Sequence, residues 1–281
     1  MISYNLHQHS LFSDGKAEPE AYIRQALSIG FEAVGFSEHS PLPFETTFSL
    51  KENNLQPYVD ETERLKQKYE EQLIIYRALE MDFIPGLSDN FDLWRSKLQL
   101  DYLIGSVHLV KPENSDELWF IDGPKSEVYD QGLQQLFGGD IRKAVKTYYH
   151  QINRMLESQQ FEIVGHVDKI KMHNKNRFFS ESESWYQQLV AETIDLIRQT
   201  DLVVEVNTRG MYKKRAESLF PDDVTLKMLN TFDIPVLISS DAHQPSELNL
   251  LFDYAEKRLL SFGFGAVAFY DHGEWHERPL R

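Results

Sequence analysis

Short apolar runs alternate with longer stretches of helical periodicity along most of the chain. Ile2–Leu6, Phe31–Phe36, Leu73–Leu79, Asp101–Val107, Phe161–Gly165, Leu202–Val206 and Ile234–Ser239 read as strands, bounded by turn or polar residues. Between them the spacing predicts helices over Glu18–Ile29, ended by Gly30, and over residues 54–72, 87–100, 140–159, 182–200, 222–231 and 245–260. A weak apolar run, Ala266–Tyr270, follows the last of these. One stretch, Leu109–Gly139, breaks the rhythm with Pro, Gly and the aromatic pair Trp119-Phe120, and reads as a lid or insert. Seven strands, each followed by a crossover long enough for a helix, predict an α/β fold with a parallel, barrel-like sheet. No linker interrupts the alternation, so residues 1–281 read as a single domain.

The polar residues that matter sit at the ends of these strands. His7 and His9 follow the first, His39 the second and Glu80 the third; His108 follows the fourth, His166 the fifth, and Asp241 and His243 the last. Asp14 lies in the loop after the first strand. In a parallel barrel those carboxyl ends share one rim, where active sites are built. Taken singly, each residue reads equally well as a buried, capping or surface side chain, and an isolated His-x-His is more often coincidence than a ligand pair. Jointly, six strands ending in imidazoles or carboxylates point to divalent cations, whose ordinary ligands these are. His7 and His9 are two apart, so an extended strand end turns both rings to one face, and the same spacing recurs at Asp241 and His243. His150, His272 and His276 show no such placement, and His173 has none assigned.

These segments resemble the polymerase and histidinol phosphatase (PHP) superfamily of metal-dependent phosphoesterases. The resemblance rests on His7-x-His9, Ser13-Asp14-Gly15, Glu38-His39, Glu80, Gly105-Ser106-Val107-His108, Gly165-His166 and Asp241-Ala242-His243. Within the superfamily, the length, the Gly-Ser-Val-His segment and Glu205–Thr208 followed by a basic loop look most like the stand-alone histidinol-phosphatases. The resemblance implies a distorted (β/α)₇ TIM-like barrel and three divalent metal ions (Zn, Mn or Fe). One ion would take His7, His9, Glu80 and Asp241; a second would share Glu80 with His108 and His166; the third would take Asp14, His39 and His243. It also implies hydrolysis of a small-molecule phosphate monoester, L-histidinol phosphate, in histidine biosynthesis.

Charge changes this picture in one respect. The chain carries 29 basic and 44 acidic residues, a formal charge of −15. That balance argues against binding long nucleic acid. At the rim, however, three divalent ions would outweigh Asp14, Glu80 and Asp241 and attract an anionic ester. Arg209 and Lys171 are expected to hold the phosphate, with Lys213, Lys214 and Arg215 behind them. Asp14, Glu80 and His243 carry the catalytic expectation, Asp14 or His243 as acid toward the leaving alkoxide and Glu80 as the ligand shared by two ions. A chain without cysteine, signal-peptide pattern or membrane-length apolar run favours the cytoplasm. Two alternatives stand beside the phosphomonoesterase. One is a nucleotide phosphatase or exonuclease using the same site, and the other is a degenerate binding module, which would have lost ligands that are present here.

Overall fold

Runs of β-branched and aromatic residues make the strands, and amphipathic helices return the chain each time to the same end of the sheet. The computed structural model describes residues 2–113 and 115–281. Its strands are β1 (Tyr4–Asn5), β2 (Ala33–His39), β3 (Ile74–Asp82), β4 (Tyr102–Ser106), β5 (Leu109–Val110), β6 (Trp119–Phe120), β7 (Ile163–Val164), β8 (Val203–Asn207), β9 (Val236–Ser239), β10 (Ala266–Asp271) and β11 (Glu274–Pro279). Its helices are α1 (Pro19–Ser28), α2 (Leu55–Tyr69), α3 (Phe91–Leu98), α4 (Ser126–Phe137), α5 (Ile141–Ser158), α6 (Ser184–Ile197), α7 (Arg209–Tyr212), α8 (Asp223–Thr231) and α9 (Phe252–Phe262).

Seven strands pair in the order β1-β2-β3-β4-β7-β8-β9, every pair parallel. A bridge between Gln8 and Ala242 draws the two outer strands together. There His9 N donates to Ala242 O at 2.8 Å and Ala242 N to His7 O at 3.2 Å. The sheet is thus a seven-stranded α/β barrel, and all its carboxyl ends face one rim. The opposite end is closed by the antiparallel hairpin β10–β11. Tyr76 in β3 donates to Tyr270 O at 2.9 Å, and the Tyr270 hydroxyl donates to Asp101 O, just before β4, at 2.6 Å.

Three features depart from the sequence reading. The Ala266–Tyr270 run belongs to this hairpin rather than to the barrel. The helix expected over 245–260 is divided: a 3-10 turn spans Pro245–Glu247, and α9 starts at Phe252 after Leu251 takes φ +62°. The excursion at 109–139 holds the small antiparallel pair β5–β6 and the helix α4. Tyr129, Leu133 and Phe137 form the buried stripe of α4, and Gly138 ends it at φ +63°. That four-residue spacing was present in the sequence but was obscured by the surrounding Pro and Gly.

Candidate metal centre and its cavity

Each strand end delivers its polar side chains for a local reason. The Gln8 bridge keeps the chain strand-like past β1, so the His7 and His9 rings stay neighbours, with centroids 5.1 Å apart. The last strand behaves differently from expectation. β9 stops at Ser239, and Asp241 turns into the left-handed region at φ +49°. Asp241 and His243 still meet, with His243 Nδ1 3.4 Å from Asp241 Oδ1, but through a turn rather than an extended strand end. The Asp14 loop folds tightly because Gly15 lies against the His9 carbonyl, where a Cβ would stand 2.1 Å from the oxygen. Glu38 holds the same loop: Ser10 N donates to it at 3.0 Å, and the Ser10 and Ser13 hydroxyls also donate.

All nine expected residues come together, and eight of them are buried, with Asp14 partly exposed. Glu80 is central. Its Oε2 lies 3.2 Å from His7 Nε2 and 2.9 Å from His39 Nδ1, and its Oε1 lies 3.2 Å from His108 Nε2 and 2.8 Å from His166 Nε2. Asp241 Oδ1 is 3.3 Å from His9 Nε2, and Asp14 Oδ1 is 3.1 Å from His243 Nε2 and 3.6 Å from His39 Nε2. Donor atoms of His7, His9 and Asp241 lie within 4.8 Å of one another, as do those of His9, His39 and His243, and of His39, Glu80 and His108. Nitrogen and oxygen ligands about 2.0–2.2 Å from a tetrahedral zinc stand roughly 3.3–3.5 Å apart.

Unmet polar atoms test whether a cation fits. Buried side-chain atoms without a hydrogen-bond partner include His7 Nε2, both ring nitrogens of His9 and His108, His39 Nδ1, Glu80 Oε2, Asp14 Oδ1 and Asp241 Oδ1. Leaving so many buried polar groups unmet costs on the order of 1–3 kcal/mol each, and divalent cations would satisfy them together. Protonation states point the same way. Burial opposes a charged Glu80, but His108, His7 and His39 hold its carboxyl well below the usual range. Burial opposes ionised Asp241 as well, and Arg209 and His7 hold it down. Burial keeps His9 and His166 below the usual imidazole range, hence neutral and ready to ligate. His7 and His39 go the other way. Burial disfavours their protonation, yet Glu205 and Glu80 raise His7, and Glu80 and Asp14 push His39 up to about 9. A cation bound at these carboxylates would compete with those protons. Asp14 is held ionised against burial by His243 and His39, which suits a ligand.

A surrounding layer of carboxylates, which the sequence reading missed, orients these ligands. Glu205 Oε1 meets His7 Nδ1 at 2.5 Å, and Glu205 Oε2 accepts from His166 N at 2.8 Å. Asp82 accepts from His108 N at 2.8 Å and lies 3.8 Å from its Nδ1. Such partners fix the tautomer and angle of ligating imidazoles. Glu205 carried a signal, since it lies inside an apolar strand where a bare carboxylate needs a partner, whereas Asp82 is the buried last residue of β3.

Above the centre opens a cavity of about 530 Å³ lined by Asp14, His39, His108 and His243 together with Phe48, Phe120, Asp122, Arg209, Lys213 and Arg215. Arg209 reaches it but is partly committed, donating from Nη1 to Asp241 O at 2.6 Å. Arg215 lines it with no hydrogen bond or ion pair from its guanidinium among the described residues. Lys171 does not reach it. That side chain is 1% exposed, and its Nζ lies 2.5 Å from Asp168 Oδ2 and 3.7 Å from Asp222 Oδ2. On the same 3-10 turn, Lys169–Lys171, the other lysine turns toward the carboxylates of the rim. Lys169 Nζ is 2.8 Å from Asp122 Oδ2 and 3.8 Å from Asp241 Oδ2.

A parallel α/β barrel with imidazoles and carboxylates gathered on its carboxyl rim defines a metal-binding barrel protein. The PHP domain model matches residues 5–209, and the chain belongs to that family. It is 28% identical over 247 residues to the histidinol-phosphatase of Bacillus subtilis, covering 83% of this chain and 89% of the relative. Its fold is similar to that of a candidate histidinol phosphatase from Listeria monocytogenes, at TM-score 0.79 and 20% identity over 89% of this chain and 99% of the other. It is also similar to the histidinol phosphate phosphatase of Lactococcus lactis, solved with Zn, L-histidinol and phosphate, at TM-score 0.68 and 18% identity over 98% of each chain.

Proposed function

We propose that the protein is a metal-dependent histidinol-phosphatase, hydrolysing L-histidinol phosphate to L-histidinol and phosphate in histidine biosynthesis. The reading is carried by one observation: the buried, unmet imidazole and carboxylate atoms around Glu80 on the barrel rim. The names of relatives that match along most of the chain support the substrate. His7, His9, Glu80 and Asp241 would hold one divalent ion, Glu80, His108 and His166 a second, and Asp14, His39 and His243 a third, drawn from Zn, Mn and Fe. When bound, such ions activate water and polarise the phosphoryl group.

The chain's own residues do the rest. Glu80 keeps two ligand groups together, and Glu205 fixes the His7 ring from behind. Arg209 and Arg215 hold the phosphate from the β8–α7 side. Phe48 and Phe120, stacked at 5.4 Å, wall off the mouth and exclude water from the leaving group. The excursion at 109–139 thereby acts as a lid on one barrel unit spanning residues 1–281. No helix among the described residues is long and apolar enough to cross a membrane. The test is hydrolysis of histidinol phosphate by purified protein before and after chelation. We expect activity to vanish with the metal and to return with Zn²⁺, Mn²⁺ or Fe²⁺. Full turnover by metal-stripped protein would exclude the reading.

A further inference from the structure

The excursion brings one charged side chain to the cavity that neither the ligand set nor the phosphate site uses. Asp122 follows β6, and its backbone is held on both sides. Ile121 N donates to His108 O at 3.0 Å, and His173 Nε2 lies 2.7 Å from Gly123 O. At the base of the excursion, Gln151 of α5 donates to Phe83 O at 2.6 Å and Leu109 O at 2.9 Å and accepts from Lys111 N at 2.9 Å. The carboxylate is therefore placed by a rigid frame. Its Oδ2 is engaged by Lys169 at 2.8 Å and lies 3.8 Å from His108 Nε2. Its Oδ1 is buried and has no hydrogen-bond partner.

A carboxylate offers about four acceptor positions, and Lys169 occupies a small part of that capacity. The cavity is thus asymmetric. Arg209 and Arg215, with Lys213 paired to Glu247, make one wall cationic, while Asp122, paired to Lys169 through one oxygen, stands beside the Phe48–Phe120 pair and makes another wall acidic and aromatic. An anion alone would need only the first wall. A ligand matching both walls carries a phosphate at one end and a positively charged nitrogen close to it.

We propose that Asp122 is a specificity-determining residue that receives the ammonium group of an aminoalkyl phosphate ester through its free Oδ1. The inference rests on the phosphatase reading above and narrows its substrate class to cationic esters. In L-histidinol phosphate the ammonium sits on the carbon next to the ester-bearing one, so it must lie close to the reacting phosphate. A carboxylate adjoining the His108 end of the metal cluster is where that short tether puts it. Lys169 matches this role, because it engages Oδ2 and leaves Oδ1 without a hydrogen-bond partner.

The experiment compares L-histidinol phosphate with 3-(imidazol-4-yl)propyl phosphate, the same ester without its amine, on the wild type, Asp122→Asn and Asp122→Glu holoenzymes. Metal content is measured on each. Wild type should prefer the amine-bearing ester. Asp122→Asn, which still offers Lys169 an acceptor, should lose about tenfold or more in kcat/KM on that ester, mainly through KM. It should change little on the amine-free ester and keep its metal, and Asp122→Glu should retain part of the preference. Equal losses on both esters, or lost metal, would make Asp122 an acid or a ligand and overturn the proposal. A wild type indifferent to the amine would overturn it too, while leaving the phosphatase reading intact. A wild type that hydrolyses neither ester would remove that reading, and this inference with it.

Discussion

Lys169 and Lys171 lie on one 3-10 turn, and both are 2% exposed, yet they serve opposite kinds of buried ionic cluster. Lys169 faces the rim and joins Asp122 to Asp241. Lys171 faces the packed side, where Asp168, Asp222 and Glu181 surround it under the Phe220 ring. The Lys171 cluster is the one poised to take up protons as pH falls: burial, opposed by Lys171, pushes Asp168 up to about 6. It also uses the main chain, since Asp222 N donates to Asp168 Oδ2 at 2.9 Å. At the rim, by contrast, imidazoles hold Glu80 ionised despite complete burial, and its Oε2 is left without a hydrogen bond. Burial of charge therefore does not mark a functional site by itself. What distinguishes the rim is how many imidazole and carboxylate atoms from six strand ends stand unmet together, where around Lys171 Asp168 Oδ1 and Lys171 Nζ alone do so among the described residues.

The largest effect should come from breaking the rim at its centre. Glu80→Gln removes the one carboxylate that faces His7, His39, His108 and His166 together. The isosteric amide keeps the volume, so folding should survive while two neighbouring ligand groups lose their shared charge. We expect kcat on histidinol phosphate to fall by about 10³-fold or more, with less bound metal measured by elemental analysis. Normal metal content with near-normal kcat would show that Glu80 is a packed carboxylate like those around Lys171.

The second cluster should respond in stability instead. Lys171→Met leaves three carboxylates around a missing cation. Breaking a buried pair from one side costs about 3 kcal/mol, at the low end because Asp168 and Glu181 can take up protons. Thermal unfolding should show Tm lower by roughly 6–12 °C, with KM for histidinol phosphate unchanged. A raised KM at unchanged Tm would restore Lys171 to the phosphate-binding role that its sequence position suggested.

That contrast also explains what could be read in advance. The seven barrel strands and the nine rim residues were legible because strand ends in a parallel barrel converge whatever the details of each loop. The roles of Lys169 and Lys171 were not. They lie on a 3-10 turn, where side chains two residues apart point about 120° apart, and in so short a turn no periodicity fixes which of them meets the rim. Asp122 lay unassigned within the Leu109–Gly139 stretch, because its place beside His108 depends on the β5–β6 pairing and the Ile121–His108 hydrogen bond. Glu205 lay in plain sight within an apolar strand, but its target, His7, is 198 residues away.

The smallest expected effect sharpens the comparison through pH. Glu181, at the outer edge of the Lys171 cluster, has a side chain 36% exposed. Burial, opposed by Lys171 and reinforced by Asp168 and Asp222, pushes its carboxyl from 4.5 up to about 7. The native state then binds this proton more tightly than the unfolded chain does. Its stabilising contribution is full below about pH 4.5 and is lost as pH rises through about 7. Glu181→Gln stays neutral throughout, so it should escape that loss. We expect the variant to match wild type in Tm near about pH 5 and to exceed it by about 1–2 °C near about pH 8, the modest size reflecting solvent screening. Because Glu181 contacts no rim ligand, kcat/KM should stay unchanged at both pH values. Equal Tm differences at the two pH values would mean that Glu181 titrates as it does in the unfolded chain. The cluster around Lys171 would then hold its carboxylates ionised, as the rim does, and proton uptake would no longer separate the two.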